Sequence, residues 1–412
     1  MKILVVLPRF PYPLEKGDKL RAYNQLRRLA RSNKVYLFCT SHCELGKDDL
    51  EAVEVFCTDV KIVKASKLHS IVNASLFFLT GRSLQVGYWS SCATRKAFRK
   101  YEQEVQPDVL YCQMVRTMTW VAKSKTPKVI DFQDALSLNV RRRARFSSGL
   151  WKAILMHESK SLERAERKAL RLFNRHTVIS KTDRRAIIHG GNAYIDLVPN
   201  GIDSEYFAPQ PTDKTTDIVF CGNMQYEPNV TAAKYLIQRV MPKVWRKMPD
   251  TTVTLAGANP AKEVQALAGK KVTVTGRVDD IRPYYLSAKI FVAPMLSGSG
   301  LQNKLLEAMS MGIPCVTTMV ANSSLGASNR RDILVGKCAE ATASHIVRLL
   351  GDEQLREQLS ANGRHFVLKN YSWEKSVALL EEILVKAATQ KKSSRQRSAD
   401  GKKADSGQKR TG

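Results

Sequence analysis

The most explicit chemistry in this chain lies in one stretch, Ser297-Gly298-Ser299-Gly300-Leu301-Gln302-Asn303-Lys304-Leu305-Leu306-Glu307-Ala308-Met309-Ser310-Met311-Gly312-Ile313-Pro314, which follows an apolar run at Ile290–Ala293. Small residues that open a helix bare its first amides, and those N–H groups attract anions together with the positive end of the helix dipole. A diphosphate fits such a place. On a helix opened at Gly300, Lys304 stands one turn in and adds a cation. Glu307 stands two turns in, where a carboxylate accepts hydrogen bonds from a diol such as ribose. The same spacing also describes a plain loop-to-helix connection in which Leu301, Leu305, Leu306 and Met309 pack a core and Glu307 faces solvent. A glycine-rich loop alone does not decide between the two.

A second polar group, Asp131-Phe132-Gln133-Asp134, follows the run Val129-Ile130. Asp134 either presents its carboxylate to a ligand at a strand end or caps a helix that continues through Ser137. Beyond it come Arg141-Arg142-Arg143-Ala144-Arg145 and a long helical stretch, Trp151–Phe173, in which Glu163 and Arg167 are spaced for an i,i+4 pair. The 7 histidines and 8 cysteines lie singly, with no C-x-x-C pair and no Asp-x-Asp element. No metal centre and no metal-held nucleotide is expected from such spacing.

The elements that must position these groups are short β-branched runs alternating with amphipathic helical segments. Strands are predicted at Ile3–Leu7, Val35–Cys39, Val60–Val63, Val109–Cys112, Val129–Asp131 and Thr177–Ile179. The rhythm restarts at Asp217–Cys221 and runs through Thr252–Ala256, Val272–Thr275, Ile290–Ala293, Cys315–Thr317 and Ile333–Val335. This predicts an α/β protein with two parallel sheets, each covered by helices, and ligands at the carboxyl ends of the strands. The proline-broken stretch Tyr206–Thr216 marks the boundary, giving domains over 1–206 and 217–372, a closing helix over 373–388, and a polar, basic tail from Thr389 that is expected to be disordered.

Charge divides the chain unevenly. Residues 1–200 hold 36 basic and 18 acidic residues, whereas residues 201–388 hold 22 and 18, so most of the overall +28 belongs to the first half. An anionic partner is implied for that half. Lys67–Leu79 sets apolar bulk beside basic residues, as a membrane-contacting helix does or as a buried helix does. No run approaches the roughly 20 apolar residues of a bilayer span. No nucleic-acid module is recognisable, and nucleic acid is not expected as a partner.

Taken with its neighbours, the glycine-rich stretch resembles the nucleotide-sugar site of retaining glycosyltransferases of family 4, which carry two facing Rossmann-like domains with an interdomain cleft, the GT-B fold. Further stretches are similar to that family in its order. They are Pro8–Arg21, Val198-Pro199-Asn200-Gly201-Ile202-Asp203 with Tyr206-Phe207, Phe220–Asn229, Val274–Asp280 and Tyr371-Ser372-Trp373. The resemblance implies donor contacts at Gly222, Asn223, Gly276, Arg277, Val278, Ser299, Gly300, Leu301, Gln302, Lys304 and Glu307, and acceptor contacts at Gly17 and Arg21. It places Asp134 where the family has a polar residue touching the donor sugar, so Asp134, Lys304 and Glu307 are the expected catalytic groups. Two departures stand out. Ser299 replaces the first glutamate of the family's paired motif, and Gly222–Asn229 carries no Arg or Lys to clamp the diphosphate, which leaves Lys304 and Arg277 for that task.

The implied activity is transfer of a sugar, with retention, from a nucleoside diphosphate carrier to a glycan or lipid-diphosphate-linked acceptor in cell-surface polysaccharide assembly. UDP is the commonest carrier in the family. No cofactor beyond the donor and no metal is expected. The rival readings are a nucleotide-sugar epimerase on the same fold and a binding protein without turnover. The basic first half is expected to hold the protein on the anionic inner face of the plasma membrane, from the cytoplasm.

Overall fold

The computed structural model describes residues 1–14, 16–145, 147–188, 194–297 and 301–389. Its residues form two compact units. The first takes in residues 1–179, 184–198 and 377 onward; the second takes in 180–183 and 199–376. The chain therefore passes into the second unit at Pro199, and Pro199–Tyr206 belongs to it, not to the first domain as the proline-broken stretch suggested.

In the first unit, the strands β1 (Lys2–Leu7), β2 (Lys34–Ser41), β3 (Asp59–Lys64), β4 (Val109–Gln113), β5 (Lys128–Asp131), β6 (Arg175–Val178) and β7 (Asp196–Leu197) form one sheet. Their order is β3-β2-β1-β4-β5-β6-β7, and every described pairing is parallel. Ile3 to Leu7 are all buried, as befits a central strand covered on both faces. The helix over 373–389 returns to this unit, where Val377, Leu380, Ile383 and Leu384 share a core with Ile3, Val5 and Leu26.

The second unit repeats the plan with β8 (Thr216–Cys221), β9 (Val253–Ala256), β10 (Val272–Val274), β11 (Ala288–Ala293), β12 (Cys315–Thr318) and β13 (Leu334–Gly336) in the order β10-β9-β8-β11-β12-β13. These pairings too are parallel. Gly201 sits so close to the start of the closing helix that a Cβ there would stand 2.2 Å from the backbone nitrogen of Trp373. A larger residue at 201 is therefore excluded unless the chain shifts.

Two expectations about helices resolve here. Lys67–Leu79 is a surface helix: only Ser70 is buried, while Leu68, Ile71, Val72, Leu76 and Leu79 are exposed. The long basic helix runs Gly149–Leu172, and Glu163 pairs with Arg167 at 2.8 Å and with Arg141 at 2.9 Å. The tail beyond residue 389 lies outside the described residues.

Candidate functional site

Chemistry in the second unit gathers at the carboxyl ends of β8 and β11. The helix after β11 spans Asn303–Ser310, with Gln302 as its N-cap and Gly312 at φ 71 closing it. It starts later than a helix opened at Gly300 would. Lys304 is thus its second residue and Glu307 its fifth, each nearer the N-terminus than the glycine pattern suggested. The amides without an intrahelical acceptor at this end include those of Asn303 and Lys304. Leu301 and Gln302 precede them and are half-buried; Ser299 and Gly300 lie outside the described residues.

Lys304 turns its ammonium toward the loop after β8. Its Nζ donates to Asn229 Oδ1 at 2.5 Å and lies 4.7 Å from the centre of the Phe220 ring, a cation–π arrangement. Gly222 makes room for this: a Cβ at that position would stand 3.0 Å from Lys304 Nζ and 2.8 Å from Asn229 Nδ2. The loop Gly222–Asn229 has no basic residue of its own, and Lys304 brings a positive charge to it. Burial pushes the Lys304 ammonium down to about 8, against the opposing pull of Cys221 and Glu307.

Glu307 is held from beneath. The buried Tyr285 donates its hydroxyl to Glu307 Oε2 at 2.8 Å. Burial raises the Glu307 carboxyl above the usual carboxylate range, while this hydrogen bond and Lys304 act to lower it. Asn223 serves the turn itself, its Oδ1 accepting from the Gln225 amide at 3.0 Å and its carbonyl from Asn229 Nδ2 at 2.9 Å. Gly222 is pinned by its amide to the Ala256 carbonyl at 3.0 Å. In the turn after β10, Gly276 takes φ 75, Arg277 is exposed and Val278 is half-buried. Next to it Arg282 clasps Asp280 at 2.6 Å and lies 3.9 Å from the Tyr206 ring centre.

In the first unit the strand ends carry a buried polar network. Arg21 Nε donates to Asp131 Oδ2 at 2.6 Å and its Nη2 to the Val198 carbonyl at 2.9 Å. Tyr111 and Thr177 donate to Asp131 at 2.9 and 3.0 Å, and Gln133 donates to Gln113 at 2.9 Å. Arg21 is wholly buried. This corrects its expected place as an acceptor contact: its guanidinium is spent inside the sheet end, and its effect on any ligand is indirect. Gly17 is the exposed first residue of the helix Gly17–Leu29. Asp134 is half-buried just before the helix Leu136–Ala144, whose N-cap is Ala135. The carboxylate of Glu166 reaches that helix end, accepting from the Ser137 amide at 3.0 Å and the Ser137 hydroxyl at 2.6 Å.

Sequence reasoning missed Asn229, Phe220 and Tyr285 as partners of the two charged residues. Phe220 and Asn229 bound the stretch Phe220–Asn229, whereas Tyr285 left no trace in the sequence pattern.

Two tandem parallel-sheet units of this kind form a doubled Rossmann-like architecture, and comparison with known proteins finds the same architecture. A family model described as "Glycosyltransferase Family 4" matches residues 19–206, and one described as "Glycosyl transferases group 1" matches residues 215–352. A Klebsiella pneumoniae relative named "Uncharacterized 44.6 kDa protein in cps region" is 23% identical over 91% of this chain and 97% of its own length. The GDP-mannose-dependent alpha-(1-6)-phosphatidylinositol monomannoside mannosyltransferase of Mycolicibacterium smegmatis is 25% identical over 49% of this chain and 59% of its own. The solved structure of Anabaena Alr3699/HepE in complex with UDP and glucose superposes with a TM-score of 0.68 at 15% identity, covering 94% of this chain and 100% of that one. The chain is a glycosyltransferase of the GT-B fold.

Proposed function

We propose that this glycosyltransferase moves a sugar from a nucleoside diphosphate carrier, bound by the second unit, to a glycan or lipid-linked acceptor bound by the first, with retention at the anomeric carbon. The observation that carries the donor assignment is Lys304 Nζ against the loop Gly222–Asn229, beside the N-terminal amides of its own helix. As the sugar departs, negative charge grows on the diphosphate, and fixed amides and an ammonium in a poorly hydrated place stabilise that charge without reorganising. Glu307, oriented by Tyr285, takes the ribose hydroxyls. The reading draws support from the relatives: one is named for a GDP-mannose donor and a phosphatidylinositol-type acceptor, and one solved fold neighbour holds UDP and glucose. UDP- and GDP-sugars are the first carriers to test, each with and without acceptor. Turnover without an acceptor, giving an epimeric sugar nucleotide, would replace transfer with epimerisation.

The same reading places the protein on an anionic membrane. Among the described residues no helix is long and apolar enough to cross a bilayer. The first unit instead exposes Leu76 and Leu79 on one helix and Leu150 and Trp151 on another, and the ring contact of Phe78 with His157 at 4.7 Å joins the two helices. Lys67, Lys152, Arg143 and Arg145 belong to or adjoin these helices. Shallow apolar insertion with nearby basic side chains binds anionic lipid, each cation adding about 1 kcal/mol near the surface. Sedimentation with anionic and neutral vesicles at low and high salt tests this; equal binding to both lipids, or none, would favour a soluble acceptor.

A further inference from the structure

Arg116 is a half-buried cation with no carboxylate partner among the described residues. It sits in the turn Val115–Thr117 directly after β4, behind Met114, which takes φ 62 to bring the chain around. Its Nη2 donates to Gln85 Oε1 at 2.5 Å and its Nη1 touches Met114 Sδ at 3.4 Å, both neutral partners. Its Nε–H is buried with no acceptor. A guanidinium offers five donors, and leaving one buried and unmatched is costly.

The nearby carboxylates are engaged elsewhere. Glu158 accepts from the Ser83 hydroxyl at 2.8 Å and from the amides of Leu84 and Gln85 at 2.7 and 3.1 Å, which fixes the start of the helix Leu84–Trp89. Asp18 is taken by Arg9 Nε at 2.7 Å. Arg21, at the same sheet end, shows the contrast: its carboxylate partner Asp131 is in place. Burial first, and then the positive charge of Arg9, push the Arg116 guanidinium down to about 10. Both effects describe a positive charge that an arriving anion would relieve. Beside this turn, Met114, whose Sδ touches Arg116, lines a small cavity together with Arg9, Asp18, Lys19, Gln113 and Gln133.

We infer that Arg116, seconded by Arg9, is a subsite for a phosphate group carried by the acceptor. The word acceptor rests on the proposed transfer reaction; the anion site itself does not. A planar guanidinium whose Nε–H has no acceptor and whose other contacts are neutral suits contact with phosphate oxygens, and Arg9 adds a second cation nearby. The phosphate has two possible sources, a prenyl diphosphate carrier or a soluble phosphate ester.

The test follows the arginine Nε–H signals of the full-length protein by 1H–15N NMR, with the Arg116 signal assigned by its loss in Arg116→Gln. Should that variant not fold, Arg116→Lys supplies the same assignment. Titration with inorganic phosphate is expected to shift the Arg116 signal saturably, whereas chloride at matched ionic strength leaves it in place. Arg9→Gln should raise the midpoint roughly tenfold. Glu307→Ala should leave the midpoint unchanged, so that failure of the donor-site reading cannot be mistaken for failure of this one. Geranyl diphosphate binding tighter than phosphate would identify the lipid carrier as the source; no gain over phosphate would identify a soluble ester. An Arg116 signal that ignores phosphate, or moves equally with chloride, overturns the proposal.

Discussion

Arg21 Nε lies 2.6 Å from Asp131 Oδ2, and both side chains are wholly shielded from water. The pair joins the helix after β1 to the end of β5 and also receives hydrogen bonds from Tyr111 and Thr177. Removing either partner would strand a buried charge. Arg21→Ala or Asp131→Ala is therefore expected to destabilise the first unit by about 3–5 kcal/mol, whereas replacing the exposed Lys64 of the Lys64–Glu44 pair costs less than about 1 kcal/mol. Urea unfolding of the variants checks the contrast.

A second prediction concerns backbone packing under the donor loop. At Gly257, φ is 142, and a Cβ would stand 1.9 Å from the Gly222 carbonyl oxygen. Gly257→Ala should cost about 1–3 kcal/mol and displace the loop that carries Asn229. Gly269→Ala, where nothing lies within 4 Å of the added carbon, should stay within about 0.5 kcal/mol of the parent. Thermal unfolding of the two variants side by side separates them.

Lys304 gives a pH dependence with a definite sign. Its folded-state value of about 8 is below the ordinary lysine range, so above pH 8 the unfolded chain keeps a proton that the folded chain has lost. Stability from this group therefore rises with pH from about 8 until the unfolded lysine also deprotonates. Lys304→Met should flatten that rise. Donor affinity should run the other way, because an anion binds the ammonium: it should fall above pH 8 by up to about tenfold per pH unit. Calorimetric titration of a nucleoside diphosphate across pH 7–9.5 reads it.

For membrane docking, Leu76→Glu with Leu79→Glu should weaken sedimentation with anionic vesicles without lowering thermal stability, since both residues are exposed. Binding that survives both changes would move the contact elsewhere.

Much of the fold was legible in the sequence because parallel strands buried on both faces must be apolar runs, and Ile3–Leu7 or Ile290–Ala293 admits few other readings. Asp196–Leu197 was not, being two residues long, half polar and at a sheet edge. The helix start at Asn303 escaped because glycines loosen a backbone without saying where helical hydrogen bonding begins. The Lys304–Asn229 contact and the Arg21–Asp131 pair join residues 75 and 110 positions apart, separations at which local pattern carries no signal. Lys67–Leu79 was ambiguous for another reason. Its apolar residues lie nearly all round the helix, so periodicity could not say which side was covered.

The most direct test of the donor site is transfer and donor binding by Lys304→Met and Glu307→Ala across a panel of UDP-, GDP- and ADP-sugars. Lys304 is expected to act mainly as charge grows on the leaving diphosphate, so its loss should lower kcat by about 10²–10³, the magnitude of removing one preorganised stabilising group. Glu307→Ala should chiefly raise the donor's KM. Undiminished turnover and unchanged donor affinity in both variants would contradict the account and remove the donor from this end of the second sheet.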